Sequence, residues 1–126
     1  MLGNSRVETI IPVTSLERSQ KFYGEMLGLK GTPLPVPGYV RYQAGAGTTL
    51  CLYERGETAT EHTLAAFSVP NLEGAMRDLR GKGVTFEEYD FPGFKTVNGV
   101  FEADGIKTAW FKDPDGNVLC IDETGG

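Results

Sequence analysis

The feature that most constrains this chain of 126 residues is that it repeats itself. Val13-x-x-Leu16-Glu17 returns as Val69-x-x-Leu72-Glu73 at an offset of 56, and Leu50-Cys51-Leu52-Tyr53-Glu54 returns as Leu119-Cys120-Ile121-Asp122-Glu123 at an offset of 69. Matches at a steady spacing mark a supersecondary unit used twice. The second copy holds 13 more residues than the first, and they accumulate mainly between Asp90 and Gly105. Each copy alone is too small to bury its own sheet, so the two are expected to pack as a single domain over residues 1–126, with one module at about 7–55 and the other at about 62–123.

Local patterns give each copy the same order. Val7 to Val13 is rich in β-branched residues and reads as a strand that Pro12 ends. A helix follows from Ser15 to Leu27. Thr14 stands three residues before Glu17 in capping-box spacing, Leu16, Gln20, Tyr23 and Leu27 recur on one face, and Gly28 closes the helix. After the Pro/Gly stretch GTPLPVPG come strands at Tyr39 to Ala44 and Thr48 to Glu54, joined by Gly45-Ala46-Gly47. In the second copy His62 to Val69 is a strand, and Asn71 caps a helix closed by Gly83. Val84 to Tyr89 is a further strand, and Asp90 to Gly105 is irregular. Strands Ile106 to Lys112 and Asn117 to Asp122 meet at the turn Asp113-Pro114-Asp115-Gly116, whose two aspartates are turn formers rather than a catalytic pair. The expected class is α+β: two βαβββ modules forming a cup-shaped, barrel-like sheet with the helices outside.

Charge and composition remove several function classes. With 12 Lys and Arg against 17 Asp and Glu, a net charge of −5 and no basic cluster, neither nucleic acid nor an anionic membrane is an expected partner. No apolar run is long enough to span a bilayer, and Met1 to Val7 does not read as a signal peptide. Two cysteines make no disulfide scaffold. A cytoplasmic location is the expectation.

The two-unit order, the helix Leu16-Glu17-Arg18-Ser19-Gln20-Lys21-Phe22-Tyr23 running into Leu27-Gly28-Leu29, and the segment Ala109-Trp110-Phe111-Lys112-Asp113-Pro114-Asp115-Gly116-Asn117 together resemble the vicinal oxygen chelate superfamily. That superfamily includes glyoxalase I, extradiol dioxygenases, fosfomycin-modifying enzymes and bleomycin-binding resistance proteins. The resemblance covers almost the whole chain. It implies the fold and a homodimer that covers sheet edges, but no single reaction, because one fold hosts many chemistries.

The resemblance also implies where a metal would sit, on inward-facing strand positions that fall here on Glu8, Cys51, Leu64 and Cys120. The usual ligands are His, Glu or Gln, and only Glu8 matches. No metal and no cofactor are expected. Two readings of Glu8 stay open: a carboxylate with a raised pKa suited to acid or base work, or a strand-end carboxylate in solvent. Cys51 and Cys120 read as small buried thiols on the cup floor, although a zinc site with Glu8 is conceivable. His62, the single histidine, is either a proton shuttle at the mouth beside Leu64 or an exposed residue at a strand start. Trp110 corresponds to a pocket-lining aromatic of glyoxalase-like relatives, and Tyr53 shares the face of Cys51. Arg41 lies on a polar strand face, where it either holds a carboxylate or is an ordinary surface cation. Phe94 and Lys95 sit in the long segment read as a lid or cup edge, with Phe91.

The function expected is a glyoxalase- or bleomycin-resistance-like protein that binds a small, partly aromatic molecule, by sequestration or metal-independent acid/base chemistry. The alternative is a metal-dependent lyase, isomerase or dioxygenase acting on vicinal oxygens. A structural module whose cup is filled by side chains is the third.

Overall fold

The computed structural model describes residues 2–4, 6–58 and 61–123. The chain divides into two compact units, Met1–Thr58 and Ala59–Gly126. In the first, β1 (Thr9–Val13), α1 (Leu16–Gln20), β2 (Lys30–Pro33), β3 (Tyr39–Gln43) and β4 (Thr49–Glu54) make a four-stranded sheet in the order β1-β4-β3-β2. In the second, β5 (Thr63–Ser68), α2 (Leu72–Gly81), β8 (Phe101–Ala103), β9 (Ile106–Lys112) and β10 (Val118–Glu123) make a sheet in the order β5-β10-β9-β8. Between α2 and β8 a small hairpin is added, β6 (Asp90–Phe91) with β7 (Phe94–Lys95). Both units are therefore βαβββ, as the repeat predicts. Each sheet is open, and the described strands close no barrel.

The first strand of each unit runs parallel to the last, β1 to β4 and β5 to β10, and the helix is the crossover between strands. Alternation sorts the side chains of β1 and β3, whereas the central strands β4 and β10 are buried on both faces, Leu50 to Leu52 and Val118 to Ile121. In the first unit Ile11, Val13, Val40, Tyr42, Leu50 and Leu52 are buried, together with Ser19, Phe22 and Tyr23 of the helix. The rings of Tyr23 and Tyr42 lie 6.0 Å apart in that core. In the second unit Ala109, Phe111, Leu119 and Ile121 are buried with Leu72 and Met76 of α2, and Phe86 meets Phe111 edge to face at 5.7 Å.

The repeated glutamates have a structural task. The Leu16 N–H donates to Glu54 Oε2 at 2.9 Å, and the Leu72 N–H donates to Glu123 Oε1 at 2.7 Å. The first N–H groups of a helix lack partners within it and carry partial positive charge, so a carboxylate at the end of the last strand satisfies one of them in each unit. The two sequence matches are the two ends of this one hydrogen bond.

Several expectations at the level of elements need correction. The cap of α1 is Ser15, whose hydroxyl accepts from Arg18 N–H at 3.2 Å, and Thr14 instead accepts from the Arg18 side chain at 2.9 Å. After Gln20 the helix widens into a π-helical turn over Lys21–Met26. Lys30–Pro33 is a strand where the Pro/Gly composition suggested only a loop. Conversely Val84 to Tyr89 is not a strand: it touches β9 through a single bridge, Phe86 with Phe111, and through Glu87 N–H to Trp110 O at 2.8 Å. The outer edge of β9 is divided between this segment and β8, which pairs with Ile106 to Thr108, so neither neighbour can run its full length. Asp90 to Gly105 is more ordered than expected, since it holds β6, β7 and β8. The Asp113 turn is as predicted. Asp113 Oδ1 accepts from the N–H of both Asp115 and Asn117 at 2.9 Å, and Oδ2 accepts from Asn117 Nδ2 at 2.8 Å.

Candidate functional site

The face of each sheet turned away from its helix carries the residues singled out above. In the first unit the register sets Ile10, Cys51 and Arg41 side by side across β1, β4 and β3, and Pro12, Tyr53 and Tyr39 beside them. Glu8 stands just before β1 and meets Arg41 in a forked ion pair, Nε to Oε2 at 2.7 Å and Nη2 to Oε1 at 3.1 Å. Two parallel charge-assisted bonds fix both planes, which a lysine could not do. Arg6 Nη2 donates to Thr49 Oγ1 at 2.8 Å next to the pair. Tyr39 and Tyr53 stack with centroids 5.9 Å apart, and Ile10 is 56% exposed.

This geometry reverses one expectation. The Arg41 guanidinium, helped by Thr49 and Arg6 and opposed by partial burial, holds the Glu8 carboxyl below the usual glutamate range rather than above it. Glu8 is an ionised anchor, not a proton donor at neutral pH. Arg41 is not an unpaired surface cation either.

The corresponding face of the second unit is aromatic. Trp110 pairs in register with Cys120, and Phe101 lies across from Thr108 on the adjacent edge strand. Phe94 stacks on Phe101 with ring centroids 4.4 Å apart and lies 5.4 Å from Trp110. Tyr89 stands edge-on to Trp110 at 5.7 Å and stacks with Phe91 at 6.2 Å. Phe91 is 59% exposed. The hairpin that brings Phe91 and Phe94 is pinned at its base: Thr96 is buried, its hydroxyl donates to Glu88 Oε1 at 2.6 Å and accepts from Tyr89 N–H at 2.8 Å, and Gly99 N–H donates to the same Glu88 oxygen at 2.9 Å. Tyr89 and Phe101 are members of this cluster that sequence reasoning missed. Phe101 carried a signal, since a short strand ahead of Ile106 would pair it near Trp110.

Other predicted residues are dispersed. Lys95 follows Phe94 on β7 but lines a separate groove beside α2. His62 is exposed in a bend before β5. Leu64 lies where the β5 to β10 register slips, between the pairs Thr63 with Val118 and Ala65 with Leu119.

A metal can be tested against the donors at the four implied positions. Both Glu8 oxygens are engaged by Arg41, and Leu64 has no donor atom. Burial pushes the Cys51 thiol up, and burial with the nearby Asp122 charge pushes Cys120 up to about 11, so neither is a ready thiolate. Among the described residues no three His, Cys, Asp or Glu side chains gather around a common point. These residues do not fit a divalent ion. No helix of the described chain is long and apolar enough to cross a membrane.

Two βαβββ units, each a four-stranded sheet whose first and last strands run parallel, define a glyoxalase-type fold. The chain belongs to the Glyoxalase/Bleomycin resistance protein/Dioxygenase superfamily, whose family model matches residues 6–121. Among solved structures, it is similar to a glyoxalase family protein from Bacillus anthracis, with a TM-score of 0.77 at 16% identity over 96% of this chain and 95% of that one. It is also similar to an antibiotic binding protein from Streptomyces sp. CB03234, with a TM-score of 0.71, 22% identity and 96% of each chain covered. A glyoxalase/bleomycin resistance protein from the same strain gives a TM-score of 0.66 at 24% identity, over 93% of this chain and 98% of that one. At these identities the likeness is one of fold. No curated protein matches the chain.

Proposed function

We propose that this protein binds a small, partly aromatic molecule and holds it without a metal. The observation that carries this reading is the cluster of Tyr89, Phe91, Phe94, Phe101 and Trp110 on the face of the second sheet that carries Trp110, with Phe91 left 59% exposed. A packed aromatic group with exposed ring surface is a platform for a flat ligand, and the Trp N–H adds a directional donor. Within the second unit the same reading assigns His62 as an accessory polar contact and Cys120 and Leu64 as apolar lining; on the first unit Arg41, Tyr53 and Glu8 are proposed as polar contacts of a face considered by itself, with Cys51 as its apolar lining. The depressed Glu8 pKa favours sequestration over acid catalysis, because a carboxyl that is already ionised has no proton to give. A similar fold in an antibiotic binding protein is consistent with that choice.

The two units are proposed to form one domain, 1–126, and the chain a cytoplasmic homodimer. The alternative, a metal-dependent lyase, isomerase or dioxygenase, would need oxygen or imidazole donors where Leu64 and the two thiols stand.

Trp110 is the sole tryptophan, so its emission reports on the site directly. Titration with planar aromatic antibiotics and aromatic metabolites should quench or shift that emission saturably, and Phe94→Ala should weaken binding by about tenfold through the loss of stacking. Failure of every aromatic compound to bind, together with turnover that depends on an added divalent ion, would overturn the reading.

A further inference from the structure

We propose that the groove beside α2 in the second unit is a binding site for an amphipathic anion, a carboxylate carrying a short hydrocarbon body. It is separate from the aromatic face, and the argument does not depend on the function proposed for that face. The groove has a volume of about 630 Å³, within the range of small-molecule sites. Its apolar surface comes from Met76, Val97 and Val100, and Val97 is 65% exposed.

The charge of this groove opposes that of the chain. Arg77, Arg80, Lys95 and Lys107 line it against only Glu73 and Glu102, an excess of two positive charges on a protein of net charge −5. Among the described residues, none of these four cations has a carboxylate within ion-pair distance. A low, apolar surface bordered by unpaired cations selects a ligand that has both an anionic head and an apolar tail.

The wall is built rather than incidental. Val97 and Val100 exchange backbone hydrogen bonds of 2.8 and 3.0 Å around Asn98-Gly99, both with positive φ (53° and 82°), the geometry of a type I′ hairpin turn. The carbonyl of Asn98 accepts from Arg80 Nη2 at 3.1 Å, and the Arg80 guanidinium lies over the Phe86 ring at 5.2 Å. Gly99 is packed so closely that a Cβ there would stand 3.1 Å from Met76 Cε and 3.3 Å from Arg80 Nη2. The turn thus orients Arg80 in advance while leaving its other N–H groups without a hydrogen-bond partner among the described residues.

The test uses the ¹⁵N-labelled full chain titrated with octanoate, which has no ring to stack on Trp110. Octanoate should shift the amides of Arg80, Val97 to Val100 and Lys107, and octanamide and inorganic phosphate should not, since each lacks one of the two recognised parts. The R77Q/K107Q variant spares Arg80 and the turn, sets no like charge against Glu73, Glu102 or Glu123, and should keep its Tm while losing about tenfold in octanoate affinity. Equal binding of octanoate and octanamide, equal binding of phosphate at the same amides, or shifts centred on Trp110 and Phe94 would each overturn the proposal. The ligand comparison is made on the unaltered protein, so it decides the matter even if the variant fails to fold.

Discussion

Arg41 and Trp110 occupy the same place in the two units. Each sits on the third strand of its sheet, paired in register with the cysteine of the fourth, Arg41 with Cys51 and Trp110 with Cys120. Yet Arg41 is drawn into a forked ion pair with Glu8, whereas Trp110 has the rings of Tyr89, Phe94 and Phe101 around it. The position equivalent to Glu8 is Leu64, at the register slip beside β10. So the backbone plan and the helix-capping glutamates are shared, while the sheet face away from the helix carries an ion pair in one unit and an aromatic cluster in the other. A repeated fold needs its caps and its helix-facing core twice, but the opposite sheet faces answer to no such demand and can carry different chemistry.

The largest effect that would test this contrast is on stability of the aromatic face. Phe94→Ala removes the 4.4 Å stack on Phe101 and one anchor of the β6–β7 hairpin, and should destabilise by roughly 2–3 kcal/mol in urea unfolding. Tyr39→Ala on the charged face removes a more exposed stack and should cost less than about 1 kcal/mol. Equal losses would mean that the two faces do not differ in the way described.

A smaller and matched effect is expected where the units agree. Glu54→Ala and Glu123→Ala should each cost about 1 kcal/mol, the usual range for losing a helix cap, with the more buried Glu123 pair at the upper end. A loss confined to one unit would break the claim of a shared frame.

The charged face has its own signature in acid. Because the folded pKa of Glu8 lies below its unfolded value, the unfolded chain binds more protons in that interval, and the contribution of Glu8 to stability is complete above about pH 4.5 and lost as pH falls through the folded pKa. Glu88 is also depressed, by Thr96 and Gly99, and adds its own part in the same window. Urea midpoints measured from pH 6 down to 3 should therefore fall less steeply for Arg41→Gln than for the unaltered chain, but not become flat. An unchanged slope would show that Arg41 does not hold Glu8.

The smallest contrast is between the thiols. Both are raised by burial, Cys120 as far as about 11 with the Asp122 charge adding to it, whereas at Cys51 the Arg41 charge offsets part of the rise from burial and Glu8, so Cys51 should react with a disulfide reagent at neutral pH slowly, and Cys120 more slowly still. Faster labelling of Cys120, followed by mass spectrometry of the labelled peptides, would reverse the ordering.

What was legible in the sequence was local or repeated. Alternation in β1, the strand positions of β4, β9 and β10, the Asn71 cap, the Asp113 turn and the two offset matches each depend on residues within a few positions or on a plain recurrence, and each stands in the structure. The short strands β2 and β8 were not legible. Lys30–Pro33 is poor in strand-forming residues, and becomes a strand because β3 offers it an edge to pair with. Val84 to Tyr89 has the composition of a strand and is denied a ladder because β8 takes much of the edge it would use.

The candidate site divides along the same line. Sequence alone determined the residue types at the implied metal positions, and a leucine there has no donor in any fold. It could not determine the state of Glu8, because the group that sets its pKa is Arg41, 33 residues away and brought beside it only by the pairing of β1 and β3 with β4. Nor could it assemble Tyr89, Phe94, Phe101 and Trp110, which come from separate segments joined by one edge strand and one pinned hairpin. Hydrophobic periodicity is a one-dimensional signal, whereas a carboxylate's proton affinity and a ring's neighbours depend on distances across the sheet, which exist only after the chain has folded.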